Sequence, residues 1–555
     1  MSISTINNHC AIYFQPEAYS ISGQKLMGRN AAGESFIRGY LRYSKSDTLW
    51  AQVLKPEHAQ VFANTAQSLG VKKKVNYLTP EKLSVLEQVG CIYYPGPDIK
   101  DQSFLRSQLG ASQWSICGIT HTTSSSRAMD AIASLLTAPI EPWDAIICTS
   151  KAVKKHVELI LQAEANRLKL RLGIQQVTLP QLPIIPLGIH TDEFIFTDIQ
   201  KSKARKVIQV DDDSIVVLYM GRLSFHAKAH PLAMYQALEI AAKNTDKKIT
   251  LIECGWFANE YTQKAFKQAQ ELACPNVDVI YLDGRDAENR KTAWSSADVF
   301  CSLSDNIQET FGITPIEAMA AGLPVVVSDW DGYKDTVTDG EVGFRIPTTL
   351  PQAGLGGDLA FHHAAEIDNY DFYCGHTSSF IAVDVQSCSK AFTQLFNDPK
   401  LRQTMGQAGK KRATAIYDWS VIIPQYETLW SQLDVIRKKS ERKPAQIWPA
   451  RQDPFTSFAH YSTQSMTPHS QIRRMDKDLE NAKQTLKRLY SLEMVGYAHK
   501  ALPSVEVLQI LLEQIDDSPT LVQSVIKAHT GKSSAENLRA LNVLHKLGLI
   551  QMNIA

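Results

Sequence analysis

The chain has 555 residues, of which 44% are hydrophobic and 21% charged, values that exclude wholesale disorder and a mostly membrane-embedded protein. At roughly 100–200 residues per domain, this length predicts about three or four folding units. The 58 Lys and Arg residues against 57 Asp and Glu residues leave a net charge of +1, so no global charge favours nucleic acid or anionic lipid, and no nucleic-acid partner is predicted.

The amino terminus and the cysteines indicate a cellular compartment. Residues 1–10 contain neither the basic nor the apolar region of a secretory leader, and no apolar run approaches the roughly 20 residues that span a bilayer. The nine cysteines are scattered and never form a C-x-x-C pair, which predicts free thiols, a reducing compartment and no metal site. A cytoplasmic protein is therefore expected, and peripheral contact with the inner face of a membrane stays open.

Short apolar runs alternate with helical patterns in the first 200 residues. The segments 114–121 and 143–150 are expected to be buried strands, and the helix after the second strand is expected over Lys151 to Leu172. Prolines and a glycine punctuate 182–194, and a polar stretch over 201–206 leads into a new unit. The first domain is therefore predicted to cover 1–200.

The same alternation continues over 201–436, which we expect to form a second domain. Its predicted strands are the β-branched or apolar segments 214–223, 248–254, 277–282, 297–303 and 324–329. Strands that alternate with helices predict the α/β class, with two doubly wound parallel sheets. Ligands of such sheets bind beyond the carboxyl ends of the strands, which predicts a site in the cleft between the two domains.

The composition changes again near residue 437. A basic run, R-K-K-S-E-R-K, opens a segment rich in Pro, Ser, Thr and Gln, so 437–472 is predicted to be a linker. The basic run is interpreted either as a solvated helix end or as a contact with anionic lipid.

A small helical accessory module is predicted over 473–555, with a capping box formed by Ser533 and Glu536. Its last helix resembles a winged-helix element, but the basic residues are too sparse for a duplex footprint. The leucines at 538, 541, 544 and 547 are interpreted instead as a core or as the seam of a homo-oligomer.

The most informative stretch is Q-E-T-F-G-I-T-P-I-E-A-M-A-A-G-L-P (308–324). Thr314, Pro315 and Glu317 have the order of N-cap, first and third helical residues, so a short helix is predicted to begin here and to end at Gly322. The unpaired backbone N–H groups of its first turn attract phosphate. For Glu317 alone, a simple capping role is an equal alternative.

This stretch resembles the family four glycosyltransferases, retaining enzymes of the GT-B superfamily whose signature is Glu-x7-Glu around a phosphate-binding turn. Glu309 and Glu317 have that spacing. The resemblance implies two Rossmann-like domains that face a cleft, with Glu309 bound to the donor sugar and Glu317 to the ribose. It also implies that the backbone amides of Gly312, Ile313 and Thr314 bind the diphosphate.

A second constellation is the loop G-R-L-S-F-H-A-K after the strand that ends near Gly221. In the family, an arginine and a lysine in this loop bind the donor diphosphate and replace a divalent metal; Arg222 and Lys228 match them. Fixed cations beside a leaving diphosphate stabilise the charge that develops on it. An exposed pair with no such role is the alternative.

The resemblance is weaker in the first domain and covers residues 10 to 435 in all. G-R-N-A-A-G-E-S-F (28–36) matches a glycine-bearing loop that closes over the donor phosphates, with Ala32 and Gly33 as backbone contacts before a helix over Ser35 to Tyr43. His121 matches a histidine that faces the donor sugar from the opposite wall. For both features, an ordinary turn or a satisfied polar residue is the alternative.

Two further segments complete the comparison with the family. V-I-Y-L-D-G-R-D-A (279–287) matches the segment that passes the nucleotide base, so Gly284 and Arg285 are expected to contact or stack on the base. The segment 347–360, with a polar stretch to about residue 379, departs from many relatives. We interpret it as a plain insertion, with an acceptor loop or an oligomer loop as alternatives.

The resemblance, together with these residues, implies a retaining, metal-independent hexosyltransferase without a cofactor. Its donor is a UDP- or GDP-sugar, and its acceptor is a carbohydrate or lipid-linked saccharide in polysaccharide or glycoconjugate synthesis. The alternatives are a GT-B phosphorylase or epimerase, and a non-catalytic nucleotide-sugar-binding or scaffolding subunit of a glycan assembly complex. No pyridoxal-phosphate lysine motif is recognisable, which disfavours a phosphorylase.

Overall fold

A computed structural model describes residues 10–19, 28–529 and 531–552, and the chain divides into two compact units, Met1–Trp448 and Pro449–Ala555. Residues 1–9, on which the expectation of no secretory leader mainly rests, lie outside the described residues. The first unit contains two lobes, each built on one parallel sheet.

Lobe 1 is a six-stranded parallel sheet with the strand order β3-β2-β1-β4-β5-β6. The strands are β1 (Ala11–Tyr13), β2 (Thr48–Gln52), β3 (Lys74–Leu78), β4 (Cys91–Tyr93), β5 (Ser115–Ile119) and β6 (Ala145–Ile147). The helices are α1 (Gly28–Tyr43), α2 (Pro56–Ser68), α3 (Leu86–Val89), α4 (Lys100–Leu109), α5 (Ser126–Ser134) and α6 (Lys151–Leu172), with 3-10 turns at Pro16–Ala18 and Pro80–Val85.

The bounds of α6 follow from its two caps and confirm the predicted helix. The Ser150 hydroxyl accepts a hydrogen bond from the backbone N–H of Val153, which satisfies one of the first free amides of the helix. Gly173 ends the helix in the left-handed conformation, at φ 70°.

The prediction for residues 28–36 is wrong, because Ala32 and Gly33 lie inside α1 and not in a loop before it. In the second turn of a helix, backbone N–H groups bond to carbonyls one turn earlier and are not available to a phosphate. Gly33 has a packing role instead, since a Cβ atom there would lie 2.4 Å from the carbonyl oxygen of Ala18.

Lobe 2 repeats the topology, with the strand order β12-β11-β10-β7-β8-β9 and all strands parallel. A 3-10 turn (Thr191–Phe194) and α7 (Asp198–Val207) lead into it. Its strands are β7 (Ile215–Met220), β8 (Ile249–Gly255), β9 (Asp278–Asp283), β10 (Val299–Ser302), β11 (Val325–Ser328) and β12 (Gly343–Ile346), and its helices are α8 (Leu232–Ala242), α9 (Glu260–Ala273), α10 (Ala287–Ser296), α11 (Ile313–Ala320) and α12 (Tyr333–Thr336).

The remainder of the first unit begins with a small insertion after β12. It contains β13 (Thr348–Thr349), α13 (Gly357–Ala364), α14 (Tyr370–Ser378) and β14 (Ala382–Val383), and is followed by α15 (Val385–Asn397), α16 (Pro399–Arg412), a π turn (Ala413–Tyr417) and α17 (Trp419–Lys439). The strands β13 and β14 pair antiparallel, so the insertion starts and ends at one point of lobe 2.

The long helix α17 crosses back to lobe 1. Trp419 packs against Gly39 of α1, where a Cβ atom would lie 2.6 Å from the indole ring, and its indole N–H donates to the Ser35 hydroxyl at 2.7 Å. Further along, Glu427 accepts hydrogen bonds from the Ser44 hydroxyl at 2.8 Å and from the backbone of Lys45 at 2.7 Å. These buried contacts fix the end of the unit on the first sheet.

The second unit is mainly helical but also contains a three-stranded antiparallel sheet, which the sequence analysis did not predict. Its capping box at Ser533 and Glu536 is present. The elements are α18 (Pro454–Ser457), a 3-10 turn (Ala459–Tyr461), β15 (Gln471–Arg474), α19 (Leu479–Tyr490), α20 (Glu493–Gly496), α21 (Val505–Glu513), β16 (Thr520–Leu521), α22 (Val522–Ala528), α23 (Ser534–Lys546) and β17 (Ile550–Met552).

Two Rossmann-like parallel sheets, joined by a crossing terminal helix, define the GT-B architecture that the sequence predicted. Among the helices of the described residues, none combines the length and the hydrophobicity that a membrane span requires.

Candidate active site

The order of the strands in lobe 2 explains where its functional side chains lie. The chain enters the sheet at β7, builds outward to β9, and then returns to place β10 on the other side of β7. The carboxyl ends of β7 and β10 therefore flank the point at which the strand order reverses, the usual ligand position of a doubly wound sheet. Arg222 and Lys228 follow β7, and Glu309 follows β10.

The Lys228 ammonium and the Glu309 carboxylate form an ion pair at this point. Burial would raise the pKa of Glu309, but the charge of Lys228 and hydrogen bonds from Lys228 and from the amides of Thr310 and Phe311 outweigh it, so the pKa is lowered. The lowered pKa favours the carboxylate form of Glu309, which the Lys228 side chain contacts.

Arg222 lies at the same sheet end and is held by its neighbours. Its guanidinium donates to the Gln308 side-chain oxygen at 2.8 Å and to the carbonyl of Ala227 at 3.2 Å. The Tyr219 hydroxyl donates to the carbonyl of Arg222 at 3.1 Å, which fixes the backbone from within the sheet. The structure thus brings Arg222 and Lys228 to the same place as Glu309, which lies 81 residues beyond Lys228 in the chain.

The helix after Glu309 begins earlier than predicted. Gly312 is the N-cap of α11, so Thr314 is the second helical residue and Glu317 the fifth, and the predicted capping role of Glu317 is wrong. Gly312 has φ 78°, and a Cβ atom there would lie 1.9 Å from the Tyr333 ring, so this cap accepts only glycine. Gly312 has no side chain that could form a capping hydrogen bond, so the sequence contains no capping residue that would mark this helix start.

The amides of Gly312, Ile313 and Thr314 lie at the start of α11, as predicted. Among the described residues these three N–H groups have no hydrogen-bond acceptor. Unpaired amides at a helix start, with the positive end of the helix dipole, favour an anion. Through Glu309, three residues before Gly312, this helix start is connected to the Lys228 ion pair.

Glu317 lies one turn into α11 and is half-buried. Burial raises its pKa to about 7, and the charge of Arg290 only partly opposes this. Arg290 also donates to the carbonyls of Gly284 at 2.8 Å and Arg285 at 3.1 Å, so it connects the surroundings of Glu317 to the turn after β9.

That turn contains the two residues predicted to contact the nucleotide base. Gly284 packs closely on the backbone of Gly255, where a Cβ atom would lie 3.0 Å from the Gly255 Cα atom. Arg285 is exposed, and its guanidinium pairs with Asp283 at 2.7 Å. The two residues therefore form an outer rim of the site beyond β8 and β9.

Lobe 1 contributes the opposite wall. His121 comes directly after the carboxyl end of β5, and Ser150 follows β6. The Ser150 hydroxyl lies 2.9 Å from the carbonyl of Thr310 and 3.2 Å from the Asp331 carboxylate, and the backbone N–H of Lys151 donates to Asp335 at 2.7 Å. The two sheet ends thus touch beside Glu309.

Asp331 is the residue at this site that the sequence analysis missed. Its backbone has φ 41°, a left-handed conformation uncommon for residues other than glycine. Burial raises its pKa to about 8, with a further contribution from the negative charge of Glu309. The only local signal was the Asp-Gly pair that follows β11, which by itself indicates no more than a turn.

In the described part of the chain, no group of three or more His, Cys, Asp or Glu side chains is placed to hold a metal ion. Arg222 and Lys228 are two cationic side chains that an anionic ligand could contact at this sheet end.

Comparison with known proteins finds a family model and several relatives that are similar to parts of this chain. Residues 200–354, which contain Arg222, Lys228, Glu309 and Glu317, match the model of the family described as "Glycosyl transferases group 1". The phosphatidyl-myo-inositol mannosyltransferase of Mycobacterium tuberculosis is 28% identical over 249 residues, which is 44% of this chain and 53% of that protein. The D-inositol 3-phosphate glycosyltransferase of Corynebacterium aurimucosum is 24% identical over 251 residues, 45% of this chain and 50% of that protein.

The chain spans about half the length of these curated relatives. Among solved structures, HepE of Anabaena in complex with UDP aligns with a TM-score of 0.49 at 16% identity, over 76% of this chain and 99% of that one.

The fold and the sheet-end residues define a GT-B protein. Residues 200–354 are similar to the group 1 glycosyl transferases, and the two relatives are similar to this chain over about half of their own length.

Proposed function

We propose that this protein is a retaining glycosyltransferase that moves a hexose from a UDP- or GDP-sugar to a carbohydrate or lipid-linked saccharide acceptor, in polysaccharide or glycoconjugate synthesis. The observation that carries the proposal is the Lys228–Glu309 ion pair beside the unpaired amides of α11. It combines a cation and N–H donors for a diphosphate with a carboxylate for sugar hydroxyls.

The donor would lie along the carboxyl edge of the second sheet. The diphosphate accepts hydrogen bonds from the amides at 312–314 and faces Arg222 and Lys228. Vicinal hydroxyls are good donors to a carboxylate, so Glu309 binds the hexose and Glu317 the ribose. The base lies at the rim formed by Gly284 and Arg285.

Donor binding would exchange partners within the ion pair. Lys228 turns from Glu309 toward the diphosphate, and the freed carboxylate oxygens of Glu309 accept hydroxyl hydrogens of the hexose. Both charges are then satisfied by the substrate, so neither is left buried without a partner.

The proposed reaction uses the diphosphate itself. As the bond between the anomeric carbon and the phosphate oxygen breaks, negative charge grows on the departing diphosphate, and Arg222 and Lys228 stabilise it without a metal. The acceptor hydroxyl attacks the same face, and its proton passes to the departing phosphate oxygen, so the anomeric configuration is retained. His121 and Ser150 of lobe 1 close the opposite wall and exclude water.

The names of the relatives support glycosyl transfer, and two of them name inositol-containing acceptors. A cytoplasmic enzyme that works peripherally at the inner face of a membrane fits a lipid-linked acceptor, and we include that location in the proposal.

The test is a donor screen with the full chain. UDP-, GDP- and ADP-hexoses are incubated with EDTA, alone and with saccharide or lipid-linked acceptors, and both nucleoside diphosphate release and product anomers are recorded by NMR. We expect release from UDP- or GDP-hexose, transfer with retention, and no loss with EDTA. An epimerised nucleotide sugar as the only product, or nucleotide binding without any release, would instead favour an epimerase or a binding subunit.

A further inference from the structure

The insertion between β12 and α15 reaches from lobe 2 to lobe 1. The hydroxyl of Tyr370, the first residue of α14, lies 3.0 Å from the Thr122 hydroxyl and 2.9 Å from the Ser124 hydroxyl. A second contact joins His363 of α13 to the Ser126 hydroxyl at 2.9 Å. Two residues of the insertion therefore contact the segment 122–126, which directly follows His121 and lies more than 230 positions away in the chain.

The same helix also packs on the diphosphate-binding side of lobe 2. A Cβ atom at Gly375 would lie 2.9 Å from the Cβ atom of His226, so α14 lies directly on the loop that carries Arg222 and Lys228. Gln308, which accepts from Arg222 at 2.8 Å, also interacts with the Tyr370 hydroxyl. One helix thus contacts the cation loop, the partner of Arg222 and the lobe 1 loop.

The chemistry of these contacts suits a reversible closure. They are hydrogen bonds between hydroxyl and imidazole groups, each worth about 1 kcal/mol, and none of the three is an ion pair between a carboxylate and a cationic side chain. Burial raises the pKa of Tyr370, so the phenol stays protonated and able to donate at neutral pH.

Resting on the proposed function, we propose that Tyr370 is a positioning residue that holds the loop at 122–126 against the Arg222–Gln308 pair and so closes the crevice over the donor. Water then has less access to the anomeric carbon while the acceptor hydroxyl attacks. In this role Tyr370 decides how the donor is partitioned between transfer and hydrolysis.

The test compares Tyr370→Phe with Tyr373→Phe, a matched control one turn along α14 whose ring stacks on His363 with the centroids 4.2 Å apart. With donor and acceptor together, Tyr370→Phe should raise the ratio of hydrolysis to transfer about five- to tenfold, a change of the size expected for one lost hydrogen bond. Ser124→Ala should have a similar effect that does not add to that of Tyr370→Phe. Equal ratios in the wild type and in both tyrosine variants would overturn the proposal.

A second measurement, amide hydrogen exchange, detects the closure of the crevice without requiring sugar transfer. Amide hydrogen exchange in the presence of UDP or GDP should speed up within 122–126 in Tyr370→Phe and stay at the wild-type rate in Tyr373→Phe. Unchanged exchange in Tyr370→Phe would contradict the proposal even in a protein that transfers no sugar. Altered exchange without any nucleotide sugar turnover would contradict the proposed function and leave the closure standing.

Discussion

Lys228 and Glu309 form an ion pair across the carboxyl ends of β7 and β10, although 81 residues separate them in the chain. The pair lies at the point where the strand order reverses, so each of the two loops contributes one charge. Burial alone would raise the pKa of Glu309, but the charge of Lys228 and the hydrogen bond from it lower that pKa.

Loss of either charge should abolish most activity. Lys228→Ala, Glu309→Ala and Arg222→Ala are each expected to lower turnover about a hundredfold or more, because the contacts of the two cations with the diphosphate and of Glu309 with the hexose strengthen in the transition state. Steady-state release of nucleoside diphosphate is the measurement. Lys243→Ala, which removes an exposed lysine from its pair with Glu239 at the end of α8, is the control and should keep nearly normal turnover. Near-normal transfer by all three site variants would refute the assignment.

Gly312 should tolerate no side chain. Gly312→Ala forces a Cβ atom to 1.9 Å from the Tyr333 ring and puts alanine at φ 78°. We expect a loss of about 2–4 kcal/mol of stability together with weaker nucleotide binding. Gly322→Ala, at the other end of the same helix, is the matched control: its φ is 79° but the space around its Cβ position is open, so only the strain of about 1 kcal/mol applies. Thermal unfolding with and without UDP or GDP compares the two, and equal effects would contradict the steric argument.

The buried carboxyl of Glu317 should make stability depend on pH. Its pKa is raised to about 7 in the folded protein from an ordinary value of 4.5, so its stabilising contribution is complete below about pH 4.5 and is lost as pH rises through 7. The glutamine of Glu317→Gln cannot ionise. We therefore expect the melting temperature of this variant, relative to that of the wild type, to rise between pH 5 and pH 8. The same variant should bind UDP or GDP more weakly at pH 8. A constant difference in melting temperature across this range would show that Glu317 titrates normally.

Asp331 should be replaceable by glycine with a gain in stability. Asp331→Gly relieves the left-handed backbone at φ 41° and removes a carboxyl group whose pKa is raised to about 8, at the cost of the Ser150 hydrogen bond. Because the stability contributed by a raised pKa is lost as pH rises through 8, the gain should grow between pH 6 and pH 9. Asp331→Asn, which loses the charge and keeps the strain, should show a smaller gain. A lower melting temperature of Asp331→Gly at every pH would contradict this account.

The second unit should be separable from the site. It has its own apolar core, and the first unit ends only after Trp448 stacks on Phe104 at a centroid distance of 5.0 Å. A chain cut after Trp448 should therefore keep nucleotide binding and donor turnover. A smaller number of subunits in solution than for the full chain would identify the second unit as the oligomer module. A loss of nucleotide binding would contradict the prediction that the two units are separable.

Local signals explain which parts of the fold the sequence could predict. The predicted bounds of helix α6 agree with the observed bounds, because Ser150 and Gly173 mark its two ends. The short strands β15 to β17 have only two to four residues each, too few for a periodic pattern. The glycine at position 33 led to the prediction of a loop. In the structure, glycine is required there because the Ala18 carbonyl approaches closely, which is a tertiary contact.

The residues of the candidate site likewise divide into those that local sequence signals indicate and those that depend on tertiary contacts. Glu309 and Glu317 were found through their spacing, and Arg222 and Lys228 through the loop after a clear strand. Tyr370 was missed, because its partners Thr122 and Ser124 lie more than 240 residues away and nothing near it in the sequence indicates them. The role of Asp331 likewise depends on its backbone conformation and on Ser150 of the other lobe.

The central claim concerns where the donor binds, and a crystal structure with a bound UDP- or GDP-hexose tests it most directly. We expect the diphosphate within hydrogen-bonding distance of Lys228 and of the amides of Ile313 and Thr314, with hexose hydroxyls on Glu309 and ribose hydroxyls on Glu317. A donor bound away from the carboxyl ends of β7 and β10, with the Lys228–Glu309 pair intact, would contradict the account.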